Sequence, residues 1–401
     1  MKRILPIFLS LTFLLLAFAG CSKPAQQSEG KFTDSQEYLI DPLWDTMMCE
    51  SEDSYYYVYN NFIYVVDKET HKATVLCNKT DCLHDREQNS ADCLGHLSST
   101  ANARICFYDG KLYCTGYEEH RDNDGNIHFY DQIIRLSPDR LSRELVYETD
   151  EMVIIWFKTH RGYIYFSASK WDEQGEAGSD NAHLYRVPVS GGEPERLKIK
   201  YFEKLRNPTD LKSEGYDVIR QHFFGDYVYV LYEGIKNGKG ISGLSRVKLD
   251  TLKVEEIGKN LKSDIHDFTV IGEKLYYTSG KKLYEANTDG TKEKVIKDLN
   301  SYGFKAGYNV YSGDGENVMI NCYNSEDPNK NKGAYFLLFN VKAKTITPFE
   351  LPYDTRIGGT PECLLLSKEE GTGSKSELYY VDKTKLDTEN YCKKIYDFPR
   401  K

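Results

Sequence analysis

The sequence predicts an all-β fold built by repetition, and three observations carry that expectation. Seven times the chain sets two alternating apolar runs around a polar or glycine-bearing turn, which is a hairpin signature. Each of these hairpins follows another apolar run. The composition, with 32 tyrosines and 18 phenylalanines in 401 residues, favours strands, because aromatic side chains fit a pleated, half-buried surface.

The hairpins are read in order. They are "FIYVVDKETHKATVLC" from Phe62, "IIRLSPDRLSRELVYE" from Ile133, "HLYRVPVSGGEPERLK" from His183, "LSRVKLDTLKVEEIG" from Leu244, "KLYEANTDGTKEKVIK" from Lys282, "FLLFNVKAKTITPFE" from Phe336 and "LYYVDKTKLDTENYCKKIY" from Leu378. The preceding runs are "YYYVYN" from Tyr55, "KLYCTG" from Lys111, "YIYFSA" from Tyr163, "YVYVLY" from Tyr227, "KLYYTS" from Lys274, "NVMINC" from Asn317 and "CLLLS" from Cys363. A further run lies upstream of most of them, as in "RICFYDG" and "MVIIWFK". Four short antiparallel strands recurring about every 40–60 residues match the blade of a β-propeller. The count is seven blades, with six or eight as the alternatives, and the first strand of each blade is expected nearest the axis. A pair of β-sandwiches accounts less well for an uninterrupted sevenfold recurrence. The repeat also answers a size problem: the chain exceeds the ~250–300 residues that one compact core serves, whereas a ring of blades sums its core from the layers between them.

The N-terminus reads as an address. Lys2 and Arg3 precede an apolar run, Ile4 to Phe18, that is too short and wrongly flanked for a membrane span. It ends in Phe18-Ala19-Gly20-Cys21, which resembles a bacterial lipobox. In that class of signals the cysteine is lipidated and becomes the new N-terminus, so Cys21 is the expected lipidation site. Residues 1–20 are then a lipoprotein signal peptide, 21–36 a polar flexible tether and 37–401 the propeller domain. The segment Glu37 to Asp41 is expected to pair with blade 7 and close the ring, since an open ring leaves strand edges unpaired. Net charge is −9 and falls by two, to −11, once the leader carrying Lys2 and Arg3 is removed. An acidic chain without a basic run is a poor nucleic-acid binder. The expected location is the extracytoplasmic face of a membrane, held by lipid.

"LYRVPVSGGEPERL" and "LYEANTDGTKEKVI" resemble the repeats of TolB-like propellers, and "LCNKTDCLHD…C" resembles a segment of lipid-anchored propellers of Firmicutes. The resemblance covers nearly all of the mature chain. It implies a fold and an address, and no activity.

The turns within a blade are unequal. Those between first and second strands, and between third and fourth, are short: "YDGK", "VIGEK", "VSGGE". Those between second and third strands read as long polar loops, such as "YEEHRDNDGNIHFYD" from Tyr117, "SKWDEQGEAGSDNA" from Ser169 and "EGIKNGKGISG" from Glu233. The connection after blade 3 and the cysteine-rich connection after blade 1 are long too. All of these leave from one end of the ring. Trp171, in one of the polar loops, is the candidate exposed aromatic of that face, whereas Trp156 reads as core.

The connection after blade 1 contains Cys77-x4-Cys82-x-His84-x8-Cys93-x2-His96. Cys77, Cys82, Cys93 and His84 make a Cys₃His set for a structural Zn²⁺. The alternative is a disulfide, which suits an extracytoplasmic compartment. Ten cysteines less a lipidated Cys21 leave an odd number, so complete pairing within the chain is excluded. Either device pins a long loop to the rim. A catalytic metal needs an open position and an acid or base, for which only the ordinary loop carboxylates Asp81, Asp85 and Glu87 are at hand. Cys106 and Cys114 flank a two-residue turn and are not directly opposed; Cys322, Cys363 and Cys392 are further candidates for pairing. Arg121 to Asn126 has carboxylates at alternate positions, as a Ca²⁺ loop does, but lacks the glycine position and terminal glutamate of an EF-hand loop and reads as an ordinary Asp/Gly turn.

The sequence carries no G-x-S-x-G, H-E-x-x-H or Walker loop. The first expected function is therefore non-catalytic: a lipid-anchored binding or scaffold protein whose loop-rich face takes a protein, peptide or glycan. The alternative is an extracytoplasmic hydrolase or lyase acting on polysaccharide. It requires two or three carboxylates and a histidine converging at the mouth of the central channel.

Overall fold

A computed structural model describes residues 48–398 apart from 60, 85–92, 98–103, 122–124, 126, 139–141, 172–176, 207–211, 262–263, 303–305, 314, 324–333, 352–355, 361 and 370–375. Its twenty-eight strands, β1–β28 in chain order, form seven antiparallel sheets of four, and each sheet uses four consecutive strands. These are the seven blades: 48–75, 105–149, 152–196, 215–256, 267–298, 306–351 and 356–397. The first strands are β1 (Met48–Glu50), β5 (Ile105–Tyr108), β9 (Met152–His160), β13 (Gly215–Phe224), β17 (Asp267–Ile271), β21 (Ala306–Gly313) and β25 (Arg356–Gly359). β1 packs beside β5 and β25, β5 beside β9, and β17 beside β13 and β21, which places the first strands around the axis.

The core lies between blades. Trp156, Tyr165 and Leu184 of blade 3 pack on Phe223, Val228 and Val230 of blade 4. Tyr229 and Leu231 of blade 4 pack on Phe268 and Tyr277 of blade 5, and the same kind of layer recurs at the other seams. Tyr57, Tyr113 and Tyr229 are all but fully buried. Tyr57, Tyr113, Tyr165, Tyr229 and Tyr276 each stand third in the apolar run that forms their blade's second strand, so the tyrosine-rich runs serve packing. Trp156 is core, stacked on Phe223 with centroids 5.7 Å apart.

The two ends of the ring meet at blades 1 and 7 through side chains. Tyr55 donates to the Glu362 carboxylate at 2.9 Å and Tyr57 to Ser367 Oγ at 2.9 Å. Phe398 packs on Tyr59 and Tyr64. The expected closing segment, Glu37 to Asp41, lies outside the described residues; among those described, blade 7 has four strands with β28 (Cys392–Asp397) as the last.

Three of the expected long loops are strands instead. In blade 2, β6 (Lys111–Arg121) and β7 (Ile127–Ser137) stay paired out to Arg121↔Ile127. In blade 4, β14 (Tyr227–Lys236) and β15 (Lys239–Lys248) stay paired out to Lys236↔Lys239. There Asn237 and Gly238, both at positive φ, make a two-residue turn of the type whose twist suits a hairpin. In blade 3, β10 (Tyr163–Trp171) and β11 (Ala177–Pro188) end at Trp171↔Ala177. Trp171 is thus the last residue of a strand and not part of a loop. In blade 4 the polar segment pairs because backbone pairing continues past the buried part of the sheet where its tight turn closes the ribbon.

Candidate functional site

The cysteine-rich connection leaves and rejoins blade 1 on one edge. β4 (Ala73–Val75) covers that edge until Leu76, whose N–H donates to Ile63 O at 2.9 Å. The returning chain then takes over: Ile63 N–H donates to Gly95 O at 2.8 Å and Leu97 N–H to Asn61 O at 2.7 Å. A side chain at Gly95 would put its Cβ 2.7 Å from Leu76 O, so the two arms approach this closely only with glycine there. Cys93 and Leu97 are buried in the blade 1 core, and Cys77 and Cys82 pack on it.

Between these arms the four expected ligands converge. The thiols of Cys77, Cys82 and Cys93 and a ring nitrogen of His84 all lie within 4.8 Å of one another. Lys79 N–H donates to Cys77 Sγ at 3.5 Å. Burial pushes the Cys93 thiol up to about 12, as does its contact with Cys77, while the Gly95 N–H works to lower it. His84 has φ +56° and stands edge-on to Phe62, with centroids 6.0 Å apart. Its Nε2 is buried without a hydrogen-bond partner, and burial lowers its pKa, so the imidazole is neutral with a lone pair to give. Three thiols and a neutral imidazole facing one point, one nitrogen unmatched, fit a tetrahedral four-ligand metal centre.

The remaining sequence candidates separate. His96 is not in the cluster; it lies against Phe62 at 5.2 Å. Asp81 is exposed, and Asp85 and Glu87 lie outside the described residues, as does most of Arg121 to Asn126. No disulfide joins any of the nine described cysteines. Cys322, Cys363 and Cys392 sit in three different layers and do not pair, because each blade's side chains face its own neighbours. Cys106 is opposite Tyr113, one residue out of register with Cys114.

The blade 2 ribbon carries residues hidden inside a segment that reads as polar. Ile127 is 40% exposed and Phe129 42% exposed, with Phe129 stacked on Tyr117 at 5.5 Å and His120 edge-on to Tyr130 at 5.0 Å. The signal was the alternation in "IHFYD". Leu83, between two of the candidate ligands, is 72% exposed. The connection from blade 1 and the ribbons of blades 2, 3 and 4 all leave from the same end of the ring.

At the axis, Arg220 of β13 grips Asp267 of β17, with Nη2 2.7 Å from Oδ2. Burial pushes the Asp267 carboxyl up to about 6 in spite of that arginine. Glu50 of β1 is a second raised carboxyl on a first strand, pushed up by burial and by the charge of Glu362 against its pairing with Lys68; paired carboxylates are what glycoside hydrolysis employs.

The chain is a seven-bladed β-propeller. No family model matches the sequence, and no curated protein matches it. Solved structures similar to it include the propeller domain of the trilobed protease of Pyrococcus furiosus, at 13% identity over 92% of this chain and 97% of that one, with a TM-score of 0.45. An oligogalacturonate lyase in complex with manganese is 11% identical over 74% and 77%, with a TM-score of 0.43. A protein of Agrobacterium tumefaciens assigned as TolB is 14% identical over 61% and 83%, with a TM-score of 0.32.

Proposed function

We propose that this is a lipid-anchored, extracytoplasmic binding or scaffold protein of the TolB-like kind. It holds a protein, peptide or glycan on the end of the ring from which its ribbons project. The single observation that carries the reading is the blade 2 ribbon, a paired element that offers Ile127 and Phe129 to solvent on the end of the ring from which the cysteine-rich connection also leaves. A rigid ring with long elements on one end is a suitable recognition platform. In this reading Cys77, Cys82, His84 and Cys93 hold a structural Zn²⁺ that fixes the connection, since a loop of that length requires internal support. The competing reading, a polysaccharide hydrolase or lyase, draws its support from the carboxyls of Asp267, Asp131 and Glu50, which burial raises.

The test uses the mature protein on arrays of glycans and cell-wall peptides, together with a double variant, Ile127→Ser and Phe129→Ser. Saturable binding by the wild type, lost in the double variant without a change in melting temperature, supports the reading. Equal binding by the two proteins, or turnover of any arrayed glycan, ends it. Membrane fractionation tests the anchor separately: Cys21→Ala is expected to release the protein or block its maturation.

A further inference from the structure

A cavity of about 200 Å³ lies in the seam between blades 3 and 4. Blade 3 gives it Ile155 and Ala182, and β13 of blade 4 gives it Asp217, Val218 and Gln221. Phe202 and Leu205, from the connection between the two blades, close one side. The start of β13 stands opposite Ile235 on the blade 4 ribbon, so the cavity opens on the end of the ring from which the ribbons leave.

The connection is built into place. Tyr201 and Phe202 of the short helix Lys200–Glu203 are buried, and the arm after it runs beside the start of β13. Tyr216 N–H donates to Lys204 O at 2.7 Å, and Arg206 N–H donates to Tyr216 O at 2.9 Å. The Tyr216 ring, also on the cavity wall, stands edge-on to Tyr201 at 5.1 Å and to Tyr232 at 5.5 Å. The walls are therefore held by the protein's own contacts, and a preformed cavity spares a ligand the cost of ordering one.

Most of the wall is apolar, yet two atoms of the lining residues, Gln221 Oε1 and Arg206 Nε, are buried without a hydrogen-bond partner. Buried polar atoms in native proteins are almost always matched, so two unmatched atoms on residues of one cavity mark a missing polar partner. Arg206 and Asp217 are, among the described residues, the charged residues of the lining, and they pair with Nη2 2.6 Å from Oδ2. Their charges cancel, so a charged ligand would be buried there without a counter-ion.

Size and chemistry choose the ligand. A cavity of about 150 Å³ lined by aliphatic and aromatic side chains takes up benzene. This one therefore has room for a single ring with a short substituent. Gln221 Oε1 requires a donor and Arg206 Nε–H an acceptor, and a hydroxyl is the smallest group that is both.

We propose that the cavity between blades 3 and 4 is a binding site for a small neutral phenol, with its ring among Ile155, Phe202 and Val218 and its hydroxyl on Gln221. The site is separate from the blade 2 ribbon, takes a different class of ligand and requires no reaction.

Calorimetric titration of the mature protein tests this, with p-cresol, toluene and benzoate as probes. Saturable 1:1 binding of p-cresol, without binding of benzoate, is the expected result. Toluene, which leaves the buried acceptor unmatched, should bind more weakly than p-cresol by about tenfold or more. Gln221→Met, which keeps the length of the side chain and removes its acceptor, should bring p-cresol to within a few-fold of toluene and leave toluene as in the wild type. Ala182→Leu, which fills the cavity, should abolish binding of both. The Ile127→Ser and Phe129→Ser double variant should bind p-cresol as the wild type does, so the outcome is read independently of the ribbon test. No saturable binding of p-cresol, an undiminished preference for p-cresol over toluene in Gln221→Met, or wild-type affinity in Ala182→Leu overturns the proposal.

Discussion

The rings of Tyr59 and Phe398 stack with their centroids 3.9 Å apart, joining the second strand of blade 1 to the residue that follows the last strand of blade 7. Phe398 also meets Tyr64 edge-on at 4.9 Å and Tyr396 at 5.6 Å, and it is 3% exposed. Phe398→Ala is expected to cost about 3–5 kcal/mol, the usual loss for a buried phenylalanine. Phe398→Leu should recover more than half of it. The shift in urea midpoint of the two variants checks this.

Four groups converge on Glu256. The hydroxyls of Tyr201 and Tyr232 donate to its carboxylate at 2.9 Å each, Ser245 Oγ donates at 2.7 Å, and Lys200 pairs with it. Burial raises its pKa, but Lys200, Ser245, Tyr201 and Tyr232 together outweigh burial and hold it at about 2. The folded pKa lies below the unfolded one, so the stabilisation is full above the unfolded value. It is lost as pH falls from about 4.5 through about 2. Glu256→Gln should be less stable than wild type at pH 7 by about 1–2 kcal/mol, the order of a hydrogen bond to a charged group. The gap should close on acidification. Thermal melts from pH 7 to pH 2 check the slope.

The Cys₃His cluster gives a mass prediction. Native mass spectrometry of the mature protein should find one Zn²⁺ per chain, removed by a strong chelator and absent from Cys77→Ser and Cys93→Ser. Chelation should leave the propeller folded and render the connection after blade 1 sensitive to protease. A chain lighter by two protons and free of metal would establish a disulfide and end the zinc assignment.

Gly234 and Gly215 meet at the root of the blade 4 ribbon. A Cβ on Gly234 would lie 2.1 Å from Gly215 O, and Gly215, at φ +151°, has Lys204 O 2.7 Å from its own Cβ position. Both neighbours are backbone and cannot swing aside. Gly234→Ala is expected to cost at least about 1–3 kcal/mol, the range for overpacking, whereas Gly240→Ala, in open space on the same ribbon, should cost little. Denaturation midpoints of the two variants give the comparison.

The blades were legible because hairpin periodicity is local: a strand, its turn and its partner lie within one short stretch. The four metal-ligand candidates were legible for the same reason, being confined to 77–93. The ribbons were missed because residues such as "EEHR" and "GNIHFYD" read as loop when polarity is weighed without pairing. The contact of Arg220 with Asp267 was beyond reach for a different reason: the two stand on different blades, 47 residues apart in sequence, and each alone is an ordinary charged residue of a strand.

Among the described residues, every sheet is made from one uninterrupted stretch of chain, and blades 1 and 7 touch without sharing a strand. Gene duplication or deletion of one blade-length block would therefore change the size of the ring without cutting a sheet. Only the packing at the new seam would need to adjust. A ring whose closing sheet combined its first and last strands would lack that freedom, because its two termini would be bound to one fixed partner. In this architecture each blade is contiguous in sequence as well as in space.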